Sequence, residues 1–445
     1  MSPPPAPGSS AGKKRGRASD PAPLWALLPE DLVRLVAWRV LAAAGGGGLL
    51  DYVRFRAVCA GWRSGAASPR GRGVTDPRFH PRCWMMLPEG HCLHPGHPDL
   101  RGHARFLNLD TGALVRAAVP LLDEDHLAVD SVDGLLLLLG DQYQRGAVRL
   151  LNPLTGDVAE LPPLATLLPP LVDTSLYSCP VLYRIKRLGT GACASASFKD
   201  GVVTVMLALD AVNRVAFATS LDRQWSLPTW KYWTAAPPLA FQGKLYMLET
   251  TPDYECGNNV HKFLQVGPPV YQDEAASGGV LQPPEVIATI TGSKFCDPDY
   301  LVECDSEILV LGYRGASMSR IVICKLADLV QQRFIPMRSI GDNTLFVGGR
   351  CISVSSKVLS TVTGDNVVCT HPRKSYLAQY HLSSGTWSPA IDDCSLYGRA
   401  QGPSSLVHYV VSCCTRTLWN RGIVLRRSPP GSYAWMSQDQ VSRPR

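Results

Sequence analysis

Histidine and cysteine residues, the side chains that most often bind zinc, cluster near residue 90 of the sequence. The cluster comprises Cys83, His91, Cys92, His94, His97 and His103. Structural zinc sites take four ligands from pairs at short, fixed spacings, and the chain contains no Cys-x-x-Cys pair. We therefore predict a loop without a metal ion here, and a protein that needs neither a metal nor another cofactor.

Motifs for catalysis are sparse. The sequence has no His-Glu-x-x-His run, which would mark the zinc-binding helix of a metalloprotease. The glycines within residues 189–191 lack the Lys-Ser/Thr pair that completes a phosphate-binding loop, so ordinary loop structure is expected there. Asp, Ser and His residues from distant positions can still meet in space, which keeps a propeller enzyme as an alternative. We predict a non-catalytic protein with no catalytic residues.

Four large aromatic residues crowd one segment on either side of Pro228. They are Trp225, Trp230, Tyr232 and Trp233. One interpretation is packing between neighbouring sheets. The other is an anchor for a target protein, because Trp and Tyr are enriched among the residues that dominate interface energies. Irregular loops around residues 251–259 and 268–284 would shape such a binding face.

The elements that would position a partner begin near the N-terminus, where residues 25–63 show two helical patterns. Pro29 fits the first turn of a helix, and two acidic residues follow it at the positive end of the helix dipole. The first apolar face comprises Leu32, Leu35, Val36 and Val40. The second, with Asp51 as its expected cap, comprises Tyr52, Phe55, Cys59 and Trp62. So short a segment cannot bury all these side chains itself, so it is expected either to meet a partner or to cap the next domain.

The same segment resembles an F-box in its plant form. Residues 28–32 read Leu-Pro-Glu-Asp-Leu and residues 54–63 read Arg-Phe-Arg-Ala-Val-Cys-Ala-Gly-Trp-Arg, close to the family's pattern at both ends. A run of small residues at 42–48 departs from that pattern and lengthens the first connection. The resemblance implies a three-helix domain that binds a Skp-family adaptor and, through it, a cullin scaffold. The implied adaptor-binding residues are Leu28, Pro29, Leu32, Val36, Val58, Cys59 and Trp62.

From about residue 74 the pattern changes to short apolar strands separated by turns. Strands run into a turn with glycine at residues 106–112, 150–156 and 380–387. Tight turns that feed an apolar strand begin at Asp133, Asp200, Gln242 and Asp305. Units recurring every ~40–65 residues are typical of propeller blades, with a β-sandwich array as the competing architecture. We predict a multidomain α + all-β chain, with a three-helix module followed by a β-propeller of about six or seven blades.

The strand-rich region also resembles the F-box-associated propeller of the plant KIB type. The similar motifs lie at residues 128–137, 148–156, 161–163, 300–309 and 339–348. This resemblance implies a plant source. It also implies that the chain is the substrate receptor of a Skp–cullin–F-box ubiquitin ligase, whose propeller binds an unknown protein target.

The expected organisation follows from these segments. It comprises a disordered basic leader (1–23), an F-box (24–66), a linker (67–74), a propeller-like recognition domain (75–415) and a basic, partly disordered C-terminal segment (416–445).

Charge and hydropathy narrow the class of partner. The net charge of +7 is concentrated at the ends, because residues 1–23 carry +3, residues 24–65 carry +2 and residues 415–445 carry +5, which leaves −3 for the middle. An acidic middle argues against a nucleic-acid-binding main domain, so a nuclear protein whose ends touch nucleic acid is the weaker alternative. The apolar run 135–139 is too short to span a membrane, and no signal peptide pattern opens the chain. We expect an intracellular protein of the nucleus, the cytoplasm or both.

Overall fold

The computed structural model describes most of the chain between residues 25 and 437. The described residues are 25, 28–42, 48–87, 103–122, 126–140, 146–171, 180–234, 236–253, 258–271, 279–291, 297–314, 318–359, 362–373, 377–390, 406–414, 423–428 and 432–437. The predicted leader and most of the His/Cys cluster lie outside these ranges.

Three short helices form the N-terminal module, as the sequence predicts. They are α1 (Glu30–Ala42), α2 (Gly48–Arg56) and α3 (Ala60–Gly65). Glu30 and Asp31 lie in the first turn of α1, where carboxylates stabilise the positive end of the helix dipole. Cys59 caps α3, because its extended backbone brings its Sγ atom to 3.4 Å from the Trp62 N–H.

The second helical stretch differs from its predicted form. Asp51 does not cap it, because α2 begins at Gly48 and Asp51 lies inside the helix, with its carboxylate 3.1 Å from Arg54. The predicted face from Tyr52 to Trp62 is divided between two helices. Cys59 causes this break, since its backbone angles of φ −156° and ψ 171° are those of a strand.

Six sheets, numbered in chain order, make up most of the remaining described chain. Sheet 1 contains β1 (Trp84–Met86), β2 (His103–Asn108) and β3 (Leu114–Ala118); sheet 2 contains β4 (His126–Val132), β5 (Leu135–Gly140), β6 (Val148–Leu151) and β7 (Val158–Leu161); sheet 3 contains β8 (Ala192–Lys199), β9 (Val202–Leu209) and β10 (Arg214–Thr219). Sheet 4 contains β11 (Leu239–Phe241), β12 (Lys244–Asp253), β13 (Asn258–Val266) and β14 (Glu285–Thr291); sheet 5 contains β15 (Asp297–Cys304), β16 (Glu307–Arg314) and β17 (Arg320–Lys325); sheet 6 contains β18 (Asn343–Phe346), β19 (Ile352–Ser355), β20 (Asn366–Thr370), β21 (Leu377–His381) and β22 (Thr386–Pro389). Neighbouring strands are antiparallel except β18 and β20, which pair in parallel.

The other elements connect or flank these sheets. They are α4 (Val181–Thr190), between sheets 2 and 3, α5 (Leu326–Val330), after sheet 5, α6 (Leu406–Cys413), after sheet 6, and a hairpin of β23 (Ile423–Ser428) and β24 (Ser432–Ser437).

The predicted tight turns join the first two strands of sheets 2 to 5. Both central residues of each turn have positive φ, as at Asp133 (51°) and Gly134 (79°). The other three pairs are Asp200 with Gly201, Gln242 with Gly243, and Asp305 with Ser306. Such turns match the right-handed twist of the strands they connect, which is why Asp and Gly are favoured. We call the end of the sheets that carries them the turn face.

Sheet 2 illustrates how neighbouring sheets share a core. Strand β5 is the apolar run identified in the sequence. Leu135, Leu137 and Leu139 pack in the cluster shared with sheet 3, whereas Leu136 and Leu138 pack in the cluster shared with sheets 1 and 6. Successive side chains of a strand point to opposite faces, so both faces of this sheet are buried.

The same packing continues from sheet to sheet and returns to its start. Buried clusters join sheet 2 to 3, sheet 3 to 4, sheet 4 to 5 and sheet 5 to 6. A further cluster joins sheet 6 to sheets 1 and 2, and α6 packs in it. The six sheets therefore form a closed ring, a six-bladed β-propeller, within the predicted range of blade numbers.

Arg350 connects the first and last parts of this ring. Its side chain donates to the Ser131 carbonyl oxygen at 2.9 Å and lies 3.7 Å from the Asp130 carboxylate, both on β4. Its backbone N–H donates to the Cys414 carbonyl oxygen at 2.8 Å, directly after α6. One residue therefore ties sheet 6 to sheet 2 and to the last helix of the ring.

Candidate docking surfaces

Helix α1 exposes apolar side chains to solvent. Leu28, Leu32, Leu35 and Val36 are each between 38% and 50% exposed. On the opposite side of the helix, Val33 and Ala37 are buried against the rest of the module. The apolar face predicted from spacing is therefore largely a surface, which we call the α1 surface. Large exposed apolar patches on soluble proteins mark interaction sites.

The remaining predicted adaptor-binding residues lie at the start of α1 or at the junction of α2 and α3. Pro29 and Val58 are exposed, whereas Cys59 and Trp62 are half-buried. The Trp62 indole stacks on Phe55 with ring centroids 4.4 Å apart, and its N–H donates to the Trp25 carbonyl oxygen at 3.0 Å. Cys59 and Trp62 thus support the module from inside, while the other five residues are open to contact.

The interior of the module includes a residue from beyond its helices. Phe79 is fully buried and lies 5.7 Å from the ring of Tyr52 and 6.2 Å from that of Trp38. Arg78 places its guanidinium 4.3 Å from the centre of the Trp38 ring, a favourable cation–π contact. Its hydrogen bond to Asp76 holds the pKa of that carboxyl below its usual value.

The segment between module and propeller, residues 67–83, is fixed rather than free. We call it the connector; it includes the predicted linker, residues 67–74. Asp157, beside the β6–β7 turn, accepts the N–H groups of Gly71 and Gly73 at 2.8 and 2.7 Å. Asn152, in the same turn, donates to the carbonyl oxygens of Gly73 and Phe79 at 2.8 and 3.0 Å. Hydrogen bonds to a carboxylate are stronger than neutral ones, so this contact holds the module against sheet 2.

Two glycines show how closely the connector packs. A Cβ atom on Gly73 would overlap the Thr155 hydroxyl and lie 2.7 Å from the Asp157 carboxylate. A Cβ atom on Gly134, in the first turn of sheet 2, would overlap the carbonyl oxygen of Pro81. Both contacts need a residue without a side chain, and the second puts the connector across the turn face.

The connector also brings polar groups to the turn face. His80 is buried, with Nε2 2.9 Å from the Val74 carbonyl oxygen, and its ring packs edge-on against Phe198 at the end of β8. The Asp133 carboxylate lies 3.7 Å from His80 Nδ1 and 3.9 Å from Arg82 Nε. One segment thus contacts both sheet 2 and sheet 3.

Glu303, at the end of β15, belongs to the same polar region. Burial among surrounding protein atoms raises the pKa of Glu303, Asp133 raises it further, and Arg82 opposes both. Solvent still reaches part of the side chain, which screens these effects.

The aromatic cluster around Pro228 is divided by the fold. Trp225 is buried and donates to the Pro162 carbonyl oxygen at 2.6 Å, and Tyr232 is buried with its hydroxyl 3.4 Å from Asp210. Trp230 is half-buried, whereas Trp233 is 65% exposed. The packing interpretation fits Trp225 and Tyr232, and of the four residues only Trp233 is largely exposed to solvent.

Helix α4 adds a surface that the sequence patterns did not reveal. It packs through Ile185, Leu188 and Gly189 on sheet 2, at the end opposite the turn face. We call this opposite end the α4 face. The signal was present in the alternation of Ile185 and Leu188 with Lys186 and Arg187, which is the spacing of an amphipathic helix.

The described part of the chain contains neither a cluster of metal ligands nor a membrane-spanning helix. In the described ranges, no three His, Cys, Asp or Glu residues are arranged to hold a metal ion. His91, Cys92, His94 and His97 lie outside those ranges; Cys83 and His103 lie inside them. Burial raises the pKa of the Cys324 and Cys369 thiols to about 12, which keeps both protonated. None of the described helices is long and apolar enough to cross a membrane.

Comparisons with known proteins identify the ring. No curated protein sequence matches the chain. A solved structure of dihydro-heme d1 dehydrogenase NirN in complex with DHE aligns at 13% identity with a TM-score of 0.24, covering 71% of this chain and 61% of the other. That likeness is too weak to support an argument. The model of the KIB1-4 beta-propeller matches residues 106–388, well over half of the sequence, and confirms the predicted KIB-type propeller. The chain therefore belongs to the KIB1-4 beta-propeller family.

Proposed function

We propose that this protein is the substrate-receptor subunit of a Skp–cullin–F-box ubiquitin ligase. The helical module binds a Skp-family adaptor, and the propeller binds a target protein. The chain itself is not a catalyst in this proposal. It raises the local concentration of target lysines near a charged ubiquitin carrier, as any tethering subunit does.

The α1 surface is the observation that supports this proposal most. Leu32 and Val36 lie one turn apart and are 44% and 41% exposed. Burying a wholly exposed side chain of this kind contributes about 1.5–3 kcal/mol, and covering the remaining exposed part of each of these two contributes roughly 0.6–1.3 kcal/mol. A helix that already buries Val33 and Ala37 on its inner side does not need a second apolar side for folding. The resemblance of residues 28–32 and 54–63 to an F-box supplies the chemical identity of the partner.

The connector supports the same proposal. Tethering is effective when the tethered groups are held at a suitable distance, and a flexible link dilutes the effect. Asp157 and Asn152 hold the connector to sheet 2, and Phe79 holds it to the helical module. The module therefore sits beside the turn face, which leaves the α4 face open for a target.

Binding of purified Skp-family adaptor to the full chain tests the proposal. Leu32→Glu with Val36→Glu should weaken adaptor binding at least about tenfold, because two charges would be buried without partners. Co-precipitation of a cullin should fall in parallel. Leu114→Glu, at a residue that is 53% exposed on β3, is the matched control and should bind normally. Circular dichroism checks that each variant is folded.

Two results would contradict the proposal. Failure of the folded, intact chain to bind any Skp-family adaptor would remove its main support. Binding that is equal in the intact chain and the double variant would show that the α1 surface is not the docking site.

A further inference from the structure

His80, in the connector, is a buried histidine whose two ring nitrogens both face oxygen atoms. Its side chain is completely shielded from solvent. The Nε2 atom lies 2.9 Å from the Val74 carbonyl oxygen. The Nδ1 atom is buried without a hydrogen bond to the described part of the chain, and it lies 3.7 Å from the Asp133 carboxylate. A carbonyl oxygen and an ionised carboxylate can only accept hydrogen bonds, so both neighbours require an N–H group.

A neutral ring cannot serve both oxygens, because it carries a proton on one nitrogen only. With the proton on Nε2, the ring donates to Val74 and the Nδ1 lone pair faces the Asp133 carboxylate. With the proton on Nδ1, the Nε2 lone pair faces the Val74 oxygen instead. The protonated ring has an N–H group for each oxygen, and a hydrogen bond between two ions is stronger than one between neutral groups. The surroundings of His80 therefore suit the cation better than either neutral form.

The charged groups around His80 come from the connector and from the ends of sheets 2, 3 and 5. Burial alone disfavours a charged imidazole, and the Asp133 carboxylate is the group that offsets this cost. Arg82 approaches the same carboxylate at 3.9 Å, but its side chain is 60% exposed, so water weakens that contact. Glu303 interacts electrostatically with both Asp133 and Arg82. The remaining charged residues of the connector, of the β6–β7 turn and of the end of β8 are Arg70, Arg72, Asp76, Arg78, Asp157, Lys199 and Asp200.

We propose that His80 is a pH-dependent switch that fixes the connector to the propeller. In the protonated ring, Nδ1–H binds the Asp133 carboxylate in the first turn of sheet 2, and Nε2–H binds Val74. Release of the proton to solvent removes the bond to Asp133 and loosens the connector, which also supplies Phe79 to the core of the helical module. Imidazole is the side chain that ordinarily exchanges its proton between about pH 5 and 8, so the connector is held more firmly at the acidic end of that interval. The inference goes beyond the proposed function and requires no adaptor.

NMR of the full chain, labelled with ¹³C at the histidine Cε1 atoms, tests proton binding directly. The signal that is absent from His80→Gln identifies His80. In the intact chain this signal should move between about pH 5 and 8, as the signal of a titrating ring does. Asp133→Asn should weaken proton binding at least about fivefold, because Nδ1 loses its charged acceptor. Asn also tolerates the φ of 51° at this position, so the turn is retained.

Proteolysis measures whether the proton holds the connector in place. Papain is active throughout this pH interval, and cleavage within residues 67–83 is divided by cleavage of a reference peptide at each pH. The intact chain should be cleaved at least about threefold faster at the basic end of the interval than at the acidic end, because local opening exposes the backbone to the protease. His80→Gln retains an N–H group for Val74 but cannot take up a proton. Its connector should be cleaved quickly at every pH.

Two matched variants control for general effects of the substitutions. His381→Gln replaces a half-buried histidine of β21, whose Nε2 atom lies 2.8 Å from the Ser388 hydroxyl. Asp305→Asn replaces the residue that has a φ of 49° in the equivalent turn of sheet 5. Both variants should show the same change of connector cleavage with pH as the intact chain. Near-UV circular dichroism checks that every variant is folded.

Three results would overturn the inference. They are a His80 signal that does not move across the pH interval, equal proton binding in the intact chain and in Asp133→Asn, and an equal change of connector cleavage with pH in the intact chain and in His80→Gln. None of these measurements includes an adaptor, so such a failure is distinct from a failure of the proposed function.

Discussion

The acidic residues of the turn face and the basic residues of helix α4 lie in different kinds of local structure. On the turn face, Asp133, Asp200 and Asp305 occupy tight turns at φ near +50°. Asp tolerates this conformation better than most residues. Asp157 accepts two N–H groups of the connector. These carboxylates are accounted for by the backbone that they support.

The cations of the α4 face lie outside the tight turns. Lys186 and Arg187 lie on the solvent side of a helix, and Lys231 lies beside the exposed Trp233. The difference teaches that carboxylates of the turn face serve the turns and the connector, whereas the cations of α4 lie on the solvent side of a helix. The following variants test that distinction, from the largest expected effect to the smallest.

Replacing Asn152 should have the largest effect on stability. Asn152→Leu removes the side-chain bonds to Gly73 and Phe79, and it also removes the acceptor for two N–H groups of its own turn. Leaving several buried groups unsatisfied should lower the free energy of unfolding by about 4 kcal/mol, as measured by urea denaturation. Asn108→Leu is the control, because Asn108 accepts the same two turn bonds in sheet 1. Arg70 and Arg72 are exposed in a backbone that the connector contacts hold in place, so only Asn152→Leu should make the chain susceptible to trypsin at these two residues.

Substitutions in two equivalent turns distinguish the free-energy cost of a positive φ from the cost of displacing the connector. Gly134 and Gly201 have φ of 79° and 78°, but an added Cβ meets Pro81 at Gly134 and nothing within 4 Å at Gly201. Gly201→Ala should cost about 1 kcal/mol, and Gly134→Ala about 3 kcal/mol. If urea denaturation showed the same loss in the free energy of unfolding for both variants, the connector would not contact the turn at Gly134.

The titration of Glu303 should make the stability of the native state depend measurably on pH. Its pKa is raised above the ordinary 4.5, so the native state holds the proton more tightly than the unfolded chain does. The native state therefore loses stability as pH rises from about 4.5 through the raised value. Glu303→Gln should increase the melting temperature at pH 8 but hardly at pH 4. We expect a gain of ~0.5 kcal/mol, because solvent screens the site.

The control for Glu303→Gln is Glu285→Gln, which removes one negative charge at the start of β14 on the same protein. A stabilisation at pH 4 as large as that at pH 8 would contradict the titration of Glu303 as its cause.

Neutralising the α4 cations should have the smallest effect on stability. Lys186→Gln with Arg187→Gln should change the free energy of unfolding by less than about 0.5 kcal/mol, since exposed substitutions away from turns are nearly neutral. The same urea denaturation measures it. A loss above about 1 kcal/mol would mean that these residues are structural, and it would remove the contrast between the faces.

Much of the fold could be predicted because it depends on local backbone chemistry. The turns at Asp133, Asp200, Gln242 and Asp305 were visible as residues that favour positive φ before an apolar strand, and all four have that conformation. Trp233 and Trp225 could not be told apart in the same way. Both are Trp in one short segment, and only the packing of sheets 2 and 3 decides that Trp225 is buried.

The helical module gives the same lesson. Spacing identified Leu32, Leu35 and Val36 as one apolar face, but helical spacing is identical for a core and for a docking surface. The outcome depended on Val33 and Ala37, which pack against Tyr52 and Phe79 and leave the other side of α1 to solvent.

The sequence by itself determined the order of a helical module and a propeller, the positions of the tight turns and the apolar spacing along α1. These features depend on residues close together in the chain. Tertiary structure alone decided the closure of six sheets through Arg350 and the fixing of the connector by Asn152 and Asp157. Those contacts join residues about 80 to 220 positions apart, and no local pattern records which distant groups will meet.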